Sequence, residues 1–157
     1  MKITLLTVGK TTFGFAAQGE ELYQKRLQFY TQFRRVDIPQ LKNAASLSRE
    51  DIKVKEGELI LKALKPDDDV ILLDERGNEY SSIDWAASLE RKMLSSGKDI
   101  VFVIGGAYGF SQAVYQRANS KLSLSKMTFS HQIVRFIFLE QLYRAFTIIK
   151  GEPYHHQ

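Results

Sequence analysis

The chain has 157 residues, a net charge of +4, a pI near 9.2 and no cysteine. Its length fits a single domain, residues 1–157, with a core of its own; 44% hydrophobic and 25% charged content is ordinary for a globular protein, and the missing cysteine excludes disulfides and thiolate metal sites. The first residues turn polar too soon for a signal peptide and no apolar run approaches the roughly 20 residues that span a bilayer, so no membrane association and a cytoplasmic location are expected, with a weak leaning towards a polyanionic partner.

Residues 3–8 read as a strand ending at Gly9-Lys10. A helix follows over residues 18–33, with Tyr23, Leu27 and Tyr30 at i, i+4 and i+7. A short strand at 35–38 stops at Pro39. Ser48-x-x-Asp51 caps a helix running to about Leu64, and Pro66-Asp-Asp-Asp69 is a turn. A buried strand at 70–74 leads into a charged turn, Glu75-Arg-Gly-Asn78. Ser81-x-x-Asp84 caps a third helix, ending near Gly97. The strand at 100–104 runs into Gly105-Gly-Ala-Tyr-Gly109, and a short helix spans 111–119. This alternation predicts an α/β fold: a mostly parallel sheet with helices on both faces.

The C-terminal third departs from the pattern. Residues 122–130 alternate apolar and polar, then a long helix spans 131–150. That helix is apolar almost all round, with Arg135, Glu140, Gln141 and Arg144 scattered among its aliphatic and aromatic residues. Such a helix must be buried on several sides, and in a domain this small a second subunit is a candidate to cover one of them.

Three segments carry chemistry. The glycine turn follows a buried strand, where ligands sit in open α/β folds. It lacks the G-x-G-x-x-G spacing and a Walker lysine, which disfavours a dinucleotide. A tight turn without a ligand is the alternative. Leu72-Leu-Asp-Glu-Arg-Gly77 is either a charged surface turn or a second wall of the same crevice. Residues 122–129 form either an edge strand or a ligand-binding backbone flanked by small hydroxyl side chains. His131 stands at a helix start, whose positive end disfavours its charged form. With no cysteine and no H-E-x-x-H, no metal site is expected. Pro153 and Tyr154 favour a docked tail, and Glu140 with Arg144 forms an i, i+4 pair.

With these segments in place, the whole chain resembles the RlmH-type 23S rRNA pseudouridine N3-methyltransferases, a compact branch of the SPOUT superfamily. The resemblance is carried by Met1-Lys-Ile with Val8-Gly-Lys10, Leu72-Leu-Asp74, Ile104-Gly-Gly-Ala-Tyr-Gly109, Leu122-Ser-Leu-Ser-Lys-Met-Thr-Phe129, His131, Glu140-Gln-Leu-Tyr-Arg-Ala145 and Pro153-Tyr-His155. It implies a deep C-terminal trefoil knot, which sequence periodicity never proposes, and a homodimer. It also implies S-adenosylmethionine bound by Leu73, Gly105, Leu124, Ser125, Lys126, Met127, Thr128 and Phe129. The implied substrate is pseudouridine 1915 of the large-subunit rRNA. His155, His156 and Glu140 are then candidates for the base that removes the imide proton, and Tyr154 for stacking on or hydrogen-bonding the target. Arg144, Lys10, Arg34 and Arg35 are candidates for phosphate contacts. Two departures stand out. The family often has Gly-Gly-Pro-Glu-Gly where this chain has Gly105-Gly-Ala-Tyr-Gly109, and its tail often ends Tyr-His-Arg-Glu rather than Tyr154-His-His-Gln157. They motivate a second reading, a catalytically inactive SPOUT-fold RNA-binding dimer. A small-molecule α/β enzyme is a third.

Overall fold

The structure, a computed structural model, describes residues 1–156; Gln157 lies outside the described residues. Strand β1 (Lys2–Val8) leads to helix α1 (Gly14–Leu27), then β2 (Gln32–Ile38), α2 (Arg49–Lys62), β3 (Asp69–Glu79), α3 (Ser82–Ser95), β4 (Ile100–Ile104), α4 (Gln112–Arg117), β5 (Ser120–Ser123) and α5 (Ile133–Ile149). The strands pair in the order β2-β1-β4-β3-β5, every pair parallel. Parallel neighbours need crossovers, and the crossover helices cover both faces as the sequence predicts. Side chains alternate along each strand. Ile3, Leu5, Ile71, Phe102 and Ile104 pack with Leu27 of α1, Trp85 and Leu89 of α3 and Phe138, Leu142 and Phe146 of α5. Leu6, Val8, Leu72, Val101 and Val103 pack with Ile60 of α2 and Val114 of α4. Among the described residues no helix is long and apolar enough to cross a membrane.

Three helix starts follow from serine. Ser48, Ser81 and Ser111 accept hydrogen bonds from the backbone N–H of Asp51, Asp84 and Val114 at 3.1, 3.1 and 3.3 Å. Two expected boundaries are corrected. α1 stops at Leu27, not Phe33, because the chain turns through residues 28–31 and Phe33 enters β2 opposite Ile3. Phe29, on that turn, is 89% exposed. The charged turn at 75–78 belongs to β3: Leu73 and Asn78 both pair with Leu122, so the residues between them loop out and the ladder resumes.

Helix α5 lies against α1 and α3. It ends in a Schellman motif, with Glu152 N–H bonded to Thr147 O at 2.9 Å, Gly151 N–H to Ile148 O at 3.0 Å, and Gly151 at φ +70°. Its start lies far from β5. Residues 124–131 leave the sheet edge, pass the ends of β3 and β4, and arrive beside the end of β1, about 14 Å across the sheet.

Arg135 fixes where the crossing ends. It is 0% exposed. Its guanidinium donates to Val8 O at 2.7 Å, Gly9 O at 2.8 Å and His131 O at 2.9 Å. Gln132 adds a second tie, accepting from Thr12 N–H at 2.7 Å and donating to Lys10 O at 3.2 Å. Unpaired buried carbonyls each cost roughly 1–3 kcal/mol. Arg135→Met, which keeps the length and removes the donors, is therefore expected to lose about 3 kcal/mol or more of stability. Urea unfolding measures this, and a loss below about 1 kcal/mol would show that the carbonyls find other partners.

Candidate functional site

A cavity of about 920 Å³ opens beyond the carboxyl ends of β3, β4 and β5. That is near the top of the range of about 300–1,000 Å³ in which small ligands are held. Leu73, Asp74, Glu75 and Arg76 form one wall, residues 104–110 a second, and Leu122, Leu124, Ser125 and residues 127–131 a third; Glu50, Lys53 and Tyr115 stand at its edges. The three segments read from the sequence as possible ligand loops thus meet in one place.

The glycine turn is tight. Gly109 sits at φ +85° and its N–H bonds Gly106 O at 3.2 Å. Behind it stands Glu56 of α2, and a Cβ on Gly106 would lie 2.7 Å from Glu56 Oε1. Among the described residues that buried oxygen has no hydrogen-bond partner. Burial pushes the Glu56 carboxyl above the usual carboxylate range. The edge-strand reading holds for 120–123, while 124–130 are neither helix nor strand. The loop is pinned by Thr128 Oγ1 donating to Glu75 Oε2 and by Met127 N–H to Ser125 Oγ at 2.9 Å. Tyr115 donates its hydroxyl to Asp74 Oδ2, and burial with this bond raises the Tyr115 pKa.

Of the expected cofactor residues, Leu73, Gly105, Leu124, Ser125, Met127, Thr128 and Phe129 line the cavity; Lys126 is on the same loop but outside the lining. His131 lines it too. Its charged form is disfavoured, as expected, but the leading cause is burial, followed by repulsion from Arg135, rather than a helix end: α5 starts two residues later.

The tail is docked, at the other end of α5. Arg144 donates from Nη2 and Nε to Glu140 Oε1 at 2.5 and 3.0 Å, and its Nη1 lies 3.0 Å from His155 Nδ1. Tyr154 donates to Glu140 Oε1 at 3.3 Å, and its hydroxyl is 3.2 Å from that of Tyr23. The Arg144 guanidinium lies 4.9 Å from the Tyr154 ring centre. Burial, then the Tyr23 bond and the Glu140 charge, raise the Tyr154 pKa, so Tyr154 keeps its proton and serves as a donor. The Tyr30 hydroxyl bonds Glu152 at 2.7 Å, and this bond with burial pushes its pKa up to about 12. Glu140, Arg144, Tyr154 and His155 thus form one cluster, His156 is exposed beside it, and none of them lines the cavity of the same chain.

The expected phosphate contacts separate. Lys10 is exposed at the cavity end of β1. Arg34 lines a shallow hollow at the opposite end of the sheet, with Lys2 and Asp99. Arg35 is no surface cation: it pairs internally with Glu20 at 2.5 Å and Asp37 at 2.8 Å. Glu56, Tyr115 and Arg135 escape sequence reasoning, because a carboxylate, a tyrosine and an arginine on helices carry no spacing signal. Among the described residues no group of three His, Asp or Glu side chains is placed to hold a metal.

A glycine turn and an irregular loop closing a crevice beyond parallel strand ends define an α/β protein whose cavity has the size of a small-molecule site. The family model described as "Predicted SPOUT methyltransferase" matches residues 1–155, and the chain belongs to that methyltransferase family. It is 53% identical to a Parabacteroides distasonis protein, 54% to one from Bacteroides thetaiotaomicron and 52% to one from Flavobacterium johnsoniae, each over 100% of both chains. All three are named Ribosomal RNA large subunit methyltransferase H.

His131 yields a pH test. Its folded pKa lies below the ordinary value near 6.5, so below about pH 6.5 the unfolded chain binds a proton that the folded one refuses. Stability therefore falls as pH drops from there, and His131→Asn flattens the fall. Unfolding free energies across that window measure it; equal slopes for the two proteins would remove His131 as the cause.

Proposed function

We propose that this chain methylates N3 of pseudouridine 1915 in 23S rRNA of the large ribosomal subunit, with S-adenosylmethionine as donor, as a cytoplasmic homodimer. The supporting observation is the meeting of the 105–109 turn and the 124–130 loop around one cavity, in a chain matched end to end by relatives whose name carries that class of activity. The donor set fits this cofactor. Leu73, Ile104, Leu122 and Leu124 offer apolar walls to a flat base, and Gly105 and the irregular loop backbone offer polar groups at close range. Leu73, Gly105 and residues 124–129 would hold it. When bound, it supplies a methyl group on an electrophilic sulfonium.

The chain must orient the imide and take its proton. Glu140 Oε1 already accepts from Arg144 and Tyr154, so Glu140 organises the tail. Tyr154 is a donor or stacking surface. His155 and His156 remain as candidates for the base. Val134 lines the cavity and Arg144 holds the tail, about 15 Å apart along α5. The tail of a second copy, reaching over the cavity of the first, brings the two halves together. Exposed apolar residues near the crossing, Phe15 at 64% and Met127 at 78%, suit such a contact.

Ribosomes from a strain lacking this modification, given methyl-labelled S-adenosylmethionine and wild-type protein, are expected to incorporate label at the pseudouridine. Leu124→Trp, which fills the cavity, and Tyr154→Ala are each expected to be inactive, and mixing the two proteins to restore activity through mixed dimers. No incorporation by folded wild-type protein sinks the assignment. Heat of cofactor binding without incorporation selects the non-catalytic RNA-binding reading. Singly inactive variants that regain nothing on mixing exclude the shared site.

A further inference from the structure

The mouth of the cavity carries an aromatic ring and a cation that the cofactor reading does not use. The turn from Gly106 to Gly109 presents Ala107 and Tyr108 at its tip. Tyr108 lines the cavity, yet its side chain is 45% exposed, too open to be explained by core packing. The Arg49 guanidinium, at the first turn of α2, lies 5.1 Å from the Tyr108 ring centre. Lys53 and Glu50 also line the cavity, but they pair with each other at 3.0 Å. Among the described residues no ion pair includes Arg49. The cavity mouth therefore carries an exposed ring under a cation that pairs with no carboxylate among the described residues.

We infer that Tyr108 and Arg49 form a nucleotide subsite at the cavity mouth, with an unpaired base of the RNA substrate stacked on Tyr108 and its phosphate on Arg49. The inference rests on an RNA substrate and deepens that reading. Stacking on an aromatic ring tolerates any base but requires one that is out of a duplex. The guanidinium suits a phosphate by geometry and permanent charge. The subsite adjoins the cavity, so a base held there sits next in line to one that enters.

The test measures equilibrium affinity of the full chain for two fluorescein-labelled RNAs of equal charge: a hairpin with an unpaired loop, and a fully paired duplex. S-adenosylmethionine affinity is measured by calorimetry beside them. Tyr108→Ala is expected to weaken hairpin binding about tenfold, and to leave duplex and S-adenosylmethionine binding unchanged. Tyr108→Phe keeps the ring and binds as wild type. Arg49→Ala is expected to lower the salt slope of hairpin binding by about one. Unchanged hairpin affinity in Tyr108→Ala, equal losses on hairpin and duplex, a loss of cofactor affinity instead, or a Phe variant as weak as the Ala variant would each overturn the stacking role. An unchanged salt slope in Arg49→Ala would overturn the phosphate role. Unfolding midpoints equal to wild type confirm that the exposed positions leave folding intact. Because binding is read without turnover, failure of the wild type to methylate rRNA would sink the enzymatic reading and leave this result standing by itself.

Discussion

Arg135 holds a full positive charge with no surface exposed, and carbonyls from two distant parts of the chain hold it there. Val8 ends the first strand and Gly9 follows it; His131 stands two residues before the last helix. One planar donor with a fixed fork reaches all three of these carbonyls at once. Glu20, Asp37 and Arg35 stand nearby and balance the charge: Arg35 repels Arg135 while the two carboxylates attract it. The group is costly to bury and costly to remove. Once α5 must begin beside β1, the chain after β5 has no choice but to cross the ends of β3 and β4. The cavity wall is the consequence of that anchoring.

The same helix then carries the site in the other direction. Its first turns face the cavity through Val134, and its last turns hold the tail through Glu140 and Arg144. The Schellman end turns the chain back so that Tyr154 reaches Glu140 and Tyr23. On the proposed function, one rigid element thus bears two half-sites that it cannot itself bring together. That separation is the physical argument for a second subunit, independent of any exposed apolar surface.

Much of this was legible in the sequence, for local reasons. Ser48, Ser81 and Ser111 start helices because a serine hydroxyl can take a free N–H wherever it stands. The 105–109 turn was legible because glycines after a five-residue buried strand have few other uses. The end of α1 was not, because the period of Tyr23, Leu27 and Tyr30 runs on past Leu27, and only pairing with β1 pulls Phe33 into a strand. The extension of β3 was not, because Glu75, Arg76 and Gly77 read as a turn, and the pairing of Asn78 with Leu122 resumes only after a register shift. Arg135 was hidden most deeply. On a helix wheel it is one more stray charge, and its partners lie 126 and 127 positions away.

Charge is divided across the site. Glu50, Asp74 and Glu75 line the cavity against Lys53 and Arg76, and burial keeps His131 from adding a cation. An interior with more carboxylates than cations suits a positively charged sulfonium and repels phosphate. On the proposed function, the cations that meet an RNA backbone are instead outside it: Arg49 at the mouth, Lys10 at the end of β1, and Arg144 on α5 beside the tail of a second subunit. On the proposed function this division admits a target base and excludes its backbone. The nucleotide then has to leave the RNA stack to be reached, which is the condition under which an exposed tyrosine at the mouth has a base to hold.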